Sequence, residues 1–348
     1  MSQRTLALAC LLIGVPACNG QPIDRTGPEA TIVRCDTVAA PPPASVRILQ
    51  AGWPAGAVAA AAAAVRPDTE GALGRNQVGY FHVRFQMGMA ALADAGRVEE
   101  ALRAMSYGFS RTTADGDFPL VIPAGLSGTP TAADMASARA FFLSDAGAAA
   151  HALLDTMLPS HEADQLAALA PAARRALDRL LADSLLLAAG DARAPNRLLF
   201  DALAYVSLGR WLEDARAVQA GRGFVAAALA LQAPTGWFRE GDGWDSSYQA
   251  VALARGWRVW ALLPMGGTRD SLGRALHCGT AWLASRIDGS GTISTVGNTR
   301  VFDGGESFLG TPKAMAWADA VRALFDAGRA TRDPTFTTIG SRVWARHR

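Results

Sequence analysis

The sequence predicts an all-α fold: an (α/α) toroid or incomplete barrel of antiparallel helical hairpins, with short β-hairpins in its loops. Three observations lead there. From Ala44 onward, apolar residues recur at three- and four-residue spacing through most of the chain. Glycine or proline punctuates most joins between these runs. A supersecondary unit also recurs, in which a helical run ends in a Gly-aromatic or Gly-Ser turn, a polar stretch follows, and a new helical run begins. Its fullest copy runs from Pro234 to Gln249 and leads into Ala250 to Leu263. A second runs from Asp288 to Glu306 ahead of Ala314 to Ala327, and a weaker one is Asp115 to Pro119, ahead of Ala132 to Met157. A tetratricopeptide solenoid is the competing all-α arrangement. Its repeat is shorter and more regular, and its turns rarely carry polar loops as long as Asp288 to Thr311.

The elements follow in order. Met1 to Gly20 has the pattern of a secretory signal, with Arg4, an apolar stretch from Leu6 to Val15, and the small-residue site Val15-Pro16-Ala17. Val15-Pro16-Ala17-Cys18 also matches a lipobox, whose cysteine would be acylated; the alternative is ordinary cleavage after Ala17. Residues 1–17 are thus expected to be a leader and 18–43 a lipid-anchored tether ending in Pro41-Pro42-Pro43. Residues 44–348 are read as a single domain in the periplasm or cell envelope. Helices are expected over 55–65, 78–95, 98–109, 132–157, 163–187, 198–208, 212–231, 248–263, 271–285 and 314–327. Phe118 to Ile122 and Thr292 to Val296 are short enough for small hairpins. Once Cys10 leaves with the leader and Cys18 takes lipid, Cys35 and Cys278 remain, as an oxidised pair or as two separate thiols.

Composition narrows function. Hydrophobic residues make up 50% of the chain and charged residues 18%, which suits a large core rather than disorder. The net charge of +2 gives no basic field for nucleic acid. There is no phosphate-binding loop, GxGxxG, HExxH, CxxC or GxSxG, so no cofactor is expected. Lys313 is the only lysine among the basic residues.

Three constellations have the residue types that move protons or bind anions. In the first, Asn76, Tyr80 and Arg84 are four apart and share one face of the expected 78–95 helix start, with Gln77 and His82 between them. The plain alternative is a polar helix start with His82 satisfied in the core. The second is Glu240, Asp242, Asp245, Tyr248 and Gln249, with Arg255 two turns beyond Tyr248. Two of its carboxylates would suit a glycoside hydrolase. Asp245 also reads as an N-cap, which leaves Tyr248 and Gln249 as the better ligand contacts. The third is Asn298, Arg300, Asp303, Glu306 and Lys313 on a glycine-rich loop. Here Arg300 could clamp a carboxylate, Asp303 could pair with Arg300, and Glu306 could cap the last long helix. Trp237 and Trp244 are loop tryptophans suited to stacking on sugar rings.

Trp237-Phe238-Arg239-Glu240, followed by Asp245-Ser246-Ser247-Tyr248-Gln249 entering a helix, resembles the loop–helix junctions of bacterial (α/α)-toroid polysaccharide lyases of the heparinase and alginate-lyase type. Asn196, opening a run through Asp201 and Tyr205, is similar to an Asn-bearing inner helix of that group. The resemblance covers roughly 196–327. The chain lacks the large C-terminal β-sandwich that many of these lyases carry, and it has only five histidines. The resemblance implies an acidic polysaccharide or other glycan as partner, cleaved by β-elimination. Arg84, Arg300 or Asn196 would neutralise a uronate carboxylate, and Tyr248, His82 or Tyr80 would move protons. A non-catalytic glycan-binding or envelope-assembly lipoprotein remains the alternative.

Acylation at Cys18 predicts that Cys18→Ser releases the protein from membranes or blocks its processing. Mass spectrometry of the mature N-terminus checks this, and an unmodified Cys18 there would contradict it.

Overall fold

The computed structural model describes residues 35–122, 130–308 and 311–348. The expected leader and Cys18 lie outside the described residues. The fold is all-α, with thirteen α-helices among the described residues. They are α1 (Val46–Gln50), α2 (Ala55–Ala63), α3 (Met89–Asp94), α4 (Val98–Phe109), α5 (Ala132–Leu154), α6 (Ser160–Ala182) and α7 (Ser184–Asp191), followed by α8 (Pro195–Trp211), α9 (Ala215–Leu229), α10 (Ser246–Leu262), α11 (Gly267–Ser285), α12 (Trp317–Thr331) and α13 (Pro334–His347). One two-residue antiparallel ribbon pairs β1 (Ser307–Phe308) with β2 (Thr311–Pro312).

Neighbouring helices form two series. In one, α3 packs on α5, α5 on α8, α8 on α10 and α10 on α12; in the other, α4 neighbours α6, α6 neighbours α9, α9 neighbours α11, and α11 neighbours α13. Each helix of the first series is also paired with its successor in the second, as in α8 with α9 and α12 with α13. Sequence explains the division. Most of α5 from Ala136 to Leu153 is buried, and so is α8 from Pro195 to Gly209 apart from Arg197. A helix that is apolar all round belongs inside. Alanine and glycine let these inner helices approach closely. A Cβ on Gly147 of α5 would lie 2.1 Å from the Ser207 hydroxyl of α8.

Local signals set the helix starts. Thr131 and Asp134 form a reciprocal capping box on α5, and Pro195 opens α8. Asp214, Asp245 and Asp333 cap α9, α10 and α13.

Several expectations are corrected. The continuous helix over 78–95 is absent. That segment holds 3₁₀ turns at Gly74–Val78 and Val83–Phe85, then α3. Gly79 and Gly88 take positive φ, and a Cβ at Gly88 would strike Val65 at 2.6 Å. The helix expected at 163–187 breaks at Asp183, whose carboxylate accepts from Arg139 and Arg179. α1 and α13 were not foreseen. The two expected hairpins reduce to single bridges, Phe81 with Val121 and Ile287 with Ile293.

The N-terminal segment is bound to the fold well before Ala44. Cys35 is disulfide-bonded to Cys278 of α11, with 5.4 Å between their Cα atoms. The Cys35 N–H donates to the Pro234 carbonyl, and Arg269 donates to the Ala44 carbonyl. The described part of the expected tether, 35–43, is therefore anchored at both ends. Beyond it, α1 and the turn that follows it meet a buried network of three inner helices. Gln50 donates to Asp94 at 2.7 Å, Arg258 pairs with the same carboxylate at 2.6 Å, and Trp53 donates to Asp326 at 2.7 Å.

Loss of the cross-link in Cys278→Ser should lower stability by about 2–4 kcal/mol. Urea unfolding with and without reductant checks this, and two alkylatable thiols in the native protein would contradict the bond. A second prediction concerns Asp326. Burial lifts its carboxyl to about 7, against the opposing pull of Trp53, Arg322 and Arg258 and with Asp94 adding to the rise. The folded state then holds a proton that the unfolded chain gives up, so stability should fall as pH rises from about 4 to about 7. Asp326→Asn should flatten that fall while keeping the acceptor for Trp53. Unfolding midpoints of both proteins at about pH 4.5 and about pH 7.5 check the sign.

Candidate functional site

The site is built on the first turn of α10 and on two loops that it holds. The Asp245 carboxylate, 1% exposed, accepts four backbone N–H bonds. Ser247 and Tyr248 donate to Oδ1 at 2.9 and 3.1 Å, and Arg300 and Val301 donate to Oδ2 at 3.0 and 2.7 Å. One side chain thus caps the helix and fixes the loop that carries Arg300. Asn298 reinforces this by accepting from the Ser246 N–H and hydroxyl and donating to the Val301 carbonyl.

Tyr248 is at the centre of the resulting cluster. Its hydroxyl donates to Glu306 Oε2 at 2.8 Å and accepts from Lys313 Nζ at 2.5 Å. The Arg300 guanidinium lies 4.3 Å from the Tyr248 ring centroid. Arg300 also bridges two acids, Glu240 at 2.5 Å and Glu306 at 2.9 Å, and Lys313 donates to Glu306 at 2.9 Å. Arg300, Glu306 and Lys313 each remain about one-third exposed, so the cluster is open to solvent. Burial lifts the Tyr248 phenol above its ordinary value, opposed by Arg300 and assisted by the Glu306 hydrogen bond. Burial also lifts Glu240, with Arg300 opposing. Burial pushes Glu306 upward too, but hydrogen bonds from Lys313 and Tyr248 and the charge of Arg300 hold it below its ordinary value.

A second group is made of arginines and aromatic rings. Arg84 lies 4.2 Å from the Phe141 ring, Phe141 stacks on Phe200 at 4.1 Å, and Arg255 lies 4.7 Å from Phe200 on its other side. Arg255 pairs with Asp319, and Arg197 with Asp191. Among the described residues the Arg84 guanidinium has no acid and no hydrogen-bond acceptor. Burial and the charge of Arg197 push its pKa down, opposed by Asp191, Asp134 and Tyr248.

The structure sorts the expected site residues. Tyr248, Arg300 and Glu240 meet directly, and Arg84 and Arg255 belong to the adjoining aromatic stack. Asn76 does not share a helical face with Tyr80 and Arg84. It is 3% exposed and holds a loop, donating to Gln86 and accepting from the His82 N–H. His82 is buried, and its Nδ1 accepts from the Arg84 N–H. Burial and Arg84 lower its pKa to about 4, opposed by Asp134, so the ring is neutral at neutral pH. Tyr80 packs beside His82 and Phe85, and burial raises its phenol while Arg75 opposes.

Gln249 is 2% exposed and organises the Gly236 turn, accepting from the Phe238 N–H and donating to the Gly236 and Gly279 carbonyls. Its Cα is one residue past Tyr248, and the helical turn aims it the other way. Asn196 is buried in the first turn of α8, its Oδ1 without a partner among the described residues. Trp244 packs edge-on with Trp237 and with Trp282 of α11, and Arg286 lies over Trp244 and Trp282. Asp242 is exposed. Arg300 pairs with Glu240 and Glu306 rather than Asp303, and Glu306 serves the cluster instead of capping α12.

Sequence reasoning missed Arg197, Phe141 and Phe200. The available signal was local, since Arg197 follows Asn196 and stands three residues before Phe200 on the first turn of α8. Two surface hollows, of about 250 and 380 Å³, lie elsewhere, near Ser106 and Arg175 and near Arg97 and Glu162; neither includes a residue of this cluster. The described residues contain no group of three potential metal ligands and no helix long and apolar enough to cross a membrane. No protein-family model matches the chain, and no curated protein or solved structure does either.

Proposed function

We propose that this is an exported, lipid-anchored protein that binds an acidic polysaccharide and cleaves it by β-elimination, with Tyr248 handling the proton. The observation that carries the reading is the Tyr248 hydroxyl, set between an ammonium and a carboxylate with an arginine against its ring. Removing a proton beside a uronate carboxylate requires a cation on that carboxylate, a base at the carbon and an acid at the leaving oxygen. A tyrosine held by Lys313 and Arg300 fits the proton-handling role.

The cation for the carboxylate is better sought at Arg84 than at Arg300. Arg300 is shared by Glu240 and Glu306, Arg255 faces Asp319 and Arg197 faces Asp191. Arg84 alone of this group makes no ion pair among the described residues, and its guanidinium lies 4.2 Å from the Phe141 ring, a planar fork of the kind that takes a carboxylate in bidentate fashion. A glycoside hydrolase built on Glu240, Asp242 and Asp245 is less well supported. Asp245 is committed to four amides and Asp242 is exposed.

Closure of the inner helices into a toroid is part of the proposal. It is supported by the return of α12 to α1 and by the Asp94–Arg258 pair between α3 and α10.

The test is the absorbance of the unsaturated product on a panel of polyuronates. Tyr248→Phe should lower kcat about 100-fold or more, because the ring still packs and only the hydroxyl is lost. Arg84→Ala should raise KM about tenfold for acidic oligosaccharides and leave binding of neutral ones unchanged. Full activity in Tyr248→Phe would remove the residue from the mechanism. Binding without turnover across the panel would favour a non-catalytic glycan-binding lipoprotein.

A further inference from the structure

Lys313 is the chain's only lysine among 33 basic residues. It lies just past the β1–β2 ribbon, and its Nζ reaches two atoms of one small ring. It donates to Tyr248 Oη at 2.5 Å and to Glu306 Oε1 at 2.9 Å, while Tyr248 Oη donates to Glu306 Oε2 at 2.8 Å. The backbone fixes this triangle, because the Lys313 N–H donates to the Glu306 carbonyl and the Glu306 N–H donates to the Arg300 carbonyl. An ammonium is a compact point donor, whereas a guanidinium is a planar fork better matched to a bidentate acceptor than to one phenol oxygen. In a chain that otherwise uses arginine, the single ammonium stands at the single hydroxyl of the cluster.

We propose that Lys313 and Glu306 are the positioning residues for the Tyr248 proton, Lys313 holding the phenolate and Glu306 holding the displaced proton during turnover. The inference rests on the reading of Tyr248 as the proton-handling group. The Tyr248 proton passes to Glu306 Oε2, leaving a phenolate against Lys313 and Arg300. The phenolate takes the proton from the carbon beside the uronate carboxylate. That C–H pair becomes the new C=C bond, the C–O bond to the leaving sugar breaks, and the leaving oxygen takes the proton from Tyr248. Glu306 then returns its proton to the phenolate. One C–H and one C–O bond are exchanged for one C=C and one O–H, with no redox change.

The resting geometry suits this sequence. Burial keeps the phenol protonated, opposed by Arg300, and against burial Lys313, Tyr248 and Arg300 hold Glu306 below its ordinary value, so the transfer to Glu306 runs uphill and the phenolate exists only during turnover. Glu306 is the acceptor already in place, and Lys313 is the cation bonded to both partners.

The test has two arms on the full-length exported protein. In the first, Lys313→Met should lower kcat on polyuronate oligosaccharides about 100-fold with KM changed less than about threefold. Lys313→Arg should recover only part of that loss. In the second, lysine labelled with ¹³C at Cε gives one resonance because the chain has one lysine. Tyr248→Phe and Glu306→Gln should each shift that resonance and its titration. Wild-type turnover with full kcat in Lys313→Met would overturn the inference and leave the proposed function standing. A Lys313 resonance indifferent to Tyr248→Phe would overturn it whatever the activity. Absence of turnover on every polyuronate, with a resonance that responds to Tyr248→Phe, would sink the lyase reading and uphold the coupling of Lys313 to Tyr248.

Discussion

The site depends on one buried carboxylate. Asp245 gives Oδ1 to the first turn of α10 and Oδ2 to the backbone at Arg300 and Val301, so residues 55 and 56 positions apart share one anchor. A carboxylate that accepts several N–H bonds is strongly held, because each bond is charge-assisted and none competes with water once buried. Capping α10 sets the direction of Tyr248, and holding the 300–301 backbone sets Arg300 against its ring. A neutral cap would still start the helix, but it would leave the Arg300 loop without its anion. The same group meets a local need of the helix and a long-range need of the site.

Charge is distributed unevenly between the two ends of the inner helices. Toward their C-terminal ends, Asp94 of α3, Arg258 of α10 and Asp326 of α12 form a buried network closed by Gln50 and Trp53. Near their N-terminal ends, Arg197 of α8, Tyr248 of α10 and Asp319 of α12 stand in first turns, with Arg300 and Lys313 beside them. Helix N-termini carry partial positive charge, which adds to the arginines there. Buried ion pairs thus gather at one end, and partly exposed, acid-paired cations at the other. The buried pairs are no large source of net stability, because desolvation offsets much of their attraction. Their contribution is to fix which helices meet where.

Long amphipathic or uniformly apolar runs made the helices legible from sequence, and 98–109 falls where periodicity placed it. The 78–95 segment misled because its three- and four-residue spacing runs across Gly79 and Gly88. Those glycines adopt positive φ under tertiary constraint, which spacing does not encode. Arg300, Tyr248 and Glu240 were legible as a polar loop beside a helix start. The use of each polar side chain was not. Gln249 and Asn76 have the same chemistry as a ligand contact, and only burial assigns them to the Gly236 turn and the Gln86 loop. Phe141 and Phe200 were hidden among core residues, since nothing local distinguishes an aromatic that faces an arginine from one that faces leucine.

The first turn of α10 makes this division concrete. Ser246 binds Asn298 through its N–H and hydroxyl, the Ser247 hydroxyl accepts from the Ala316 N–H ahead of α12, Tyr248 enters the polar cluster, and Gln249 turns back to Gly236 and Gly279. Four consecutive side chains, about 100° apart around the axis, therefore reach four different segments. Three of them hold loops, and one is left with a hydroxyl among ionised groups. A tyrosine in the first turn of a helix would ordinarily keep its hydroxyl in water. Here the loops pinned by its neighbours bring Glu306, Lys313 and Arg300 to it. The chemistry available to Tyr248 is thus a consequence of what Ser246, Ser247 and Gln249 bind, and Asp245 keeps all four in register.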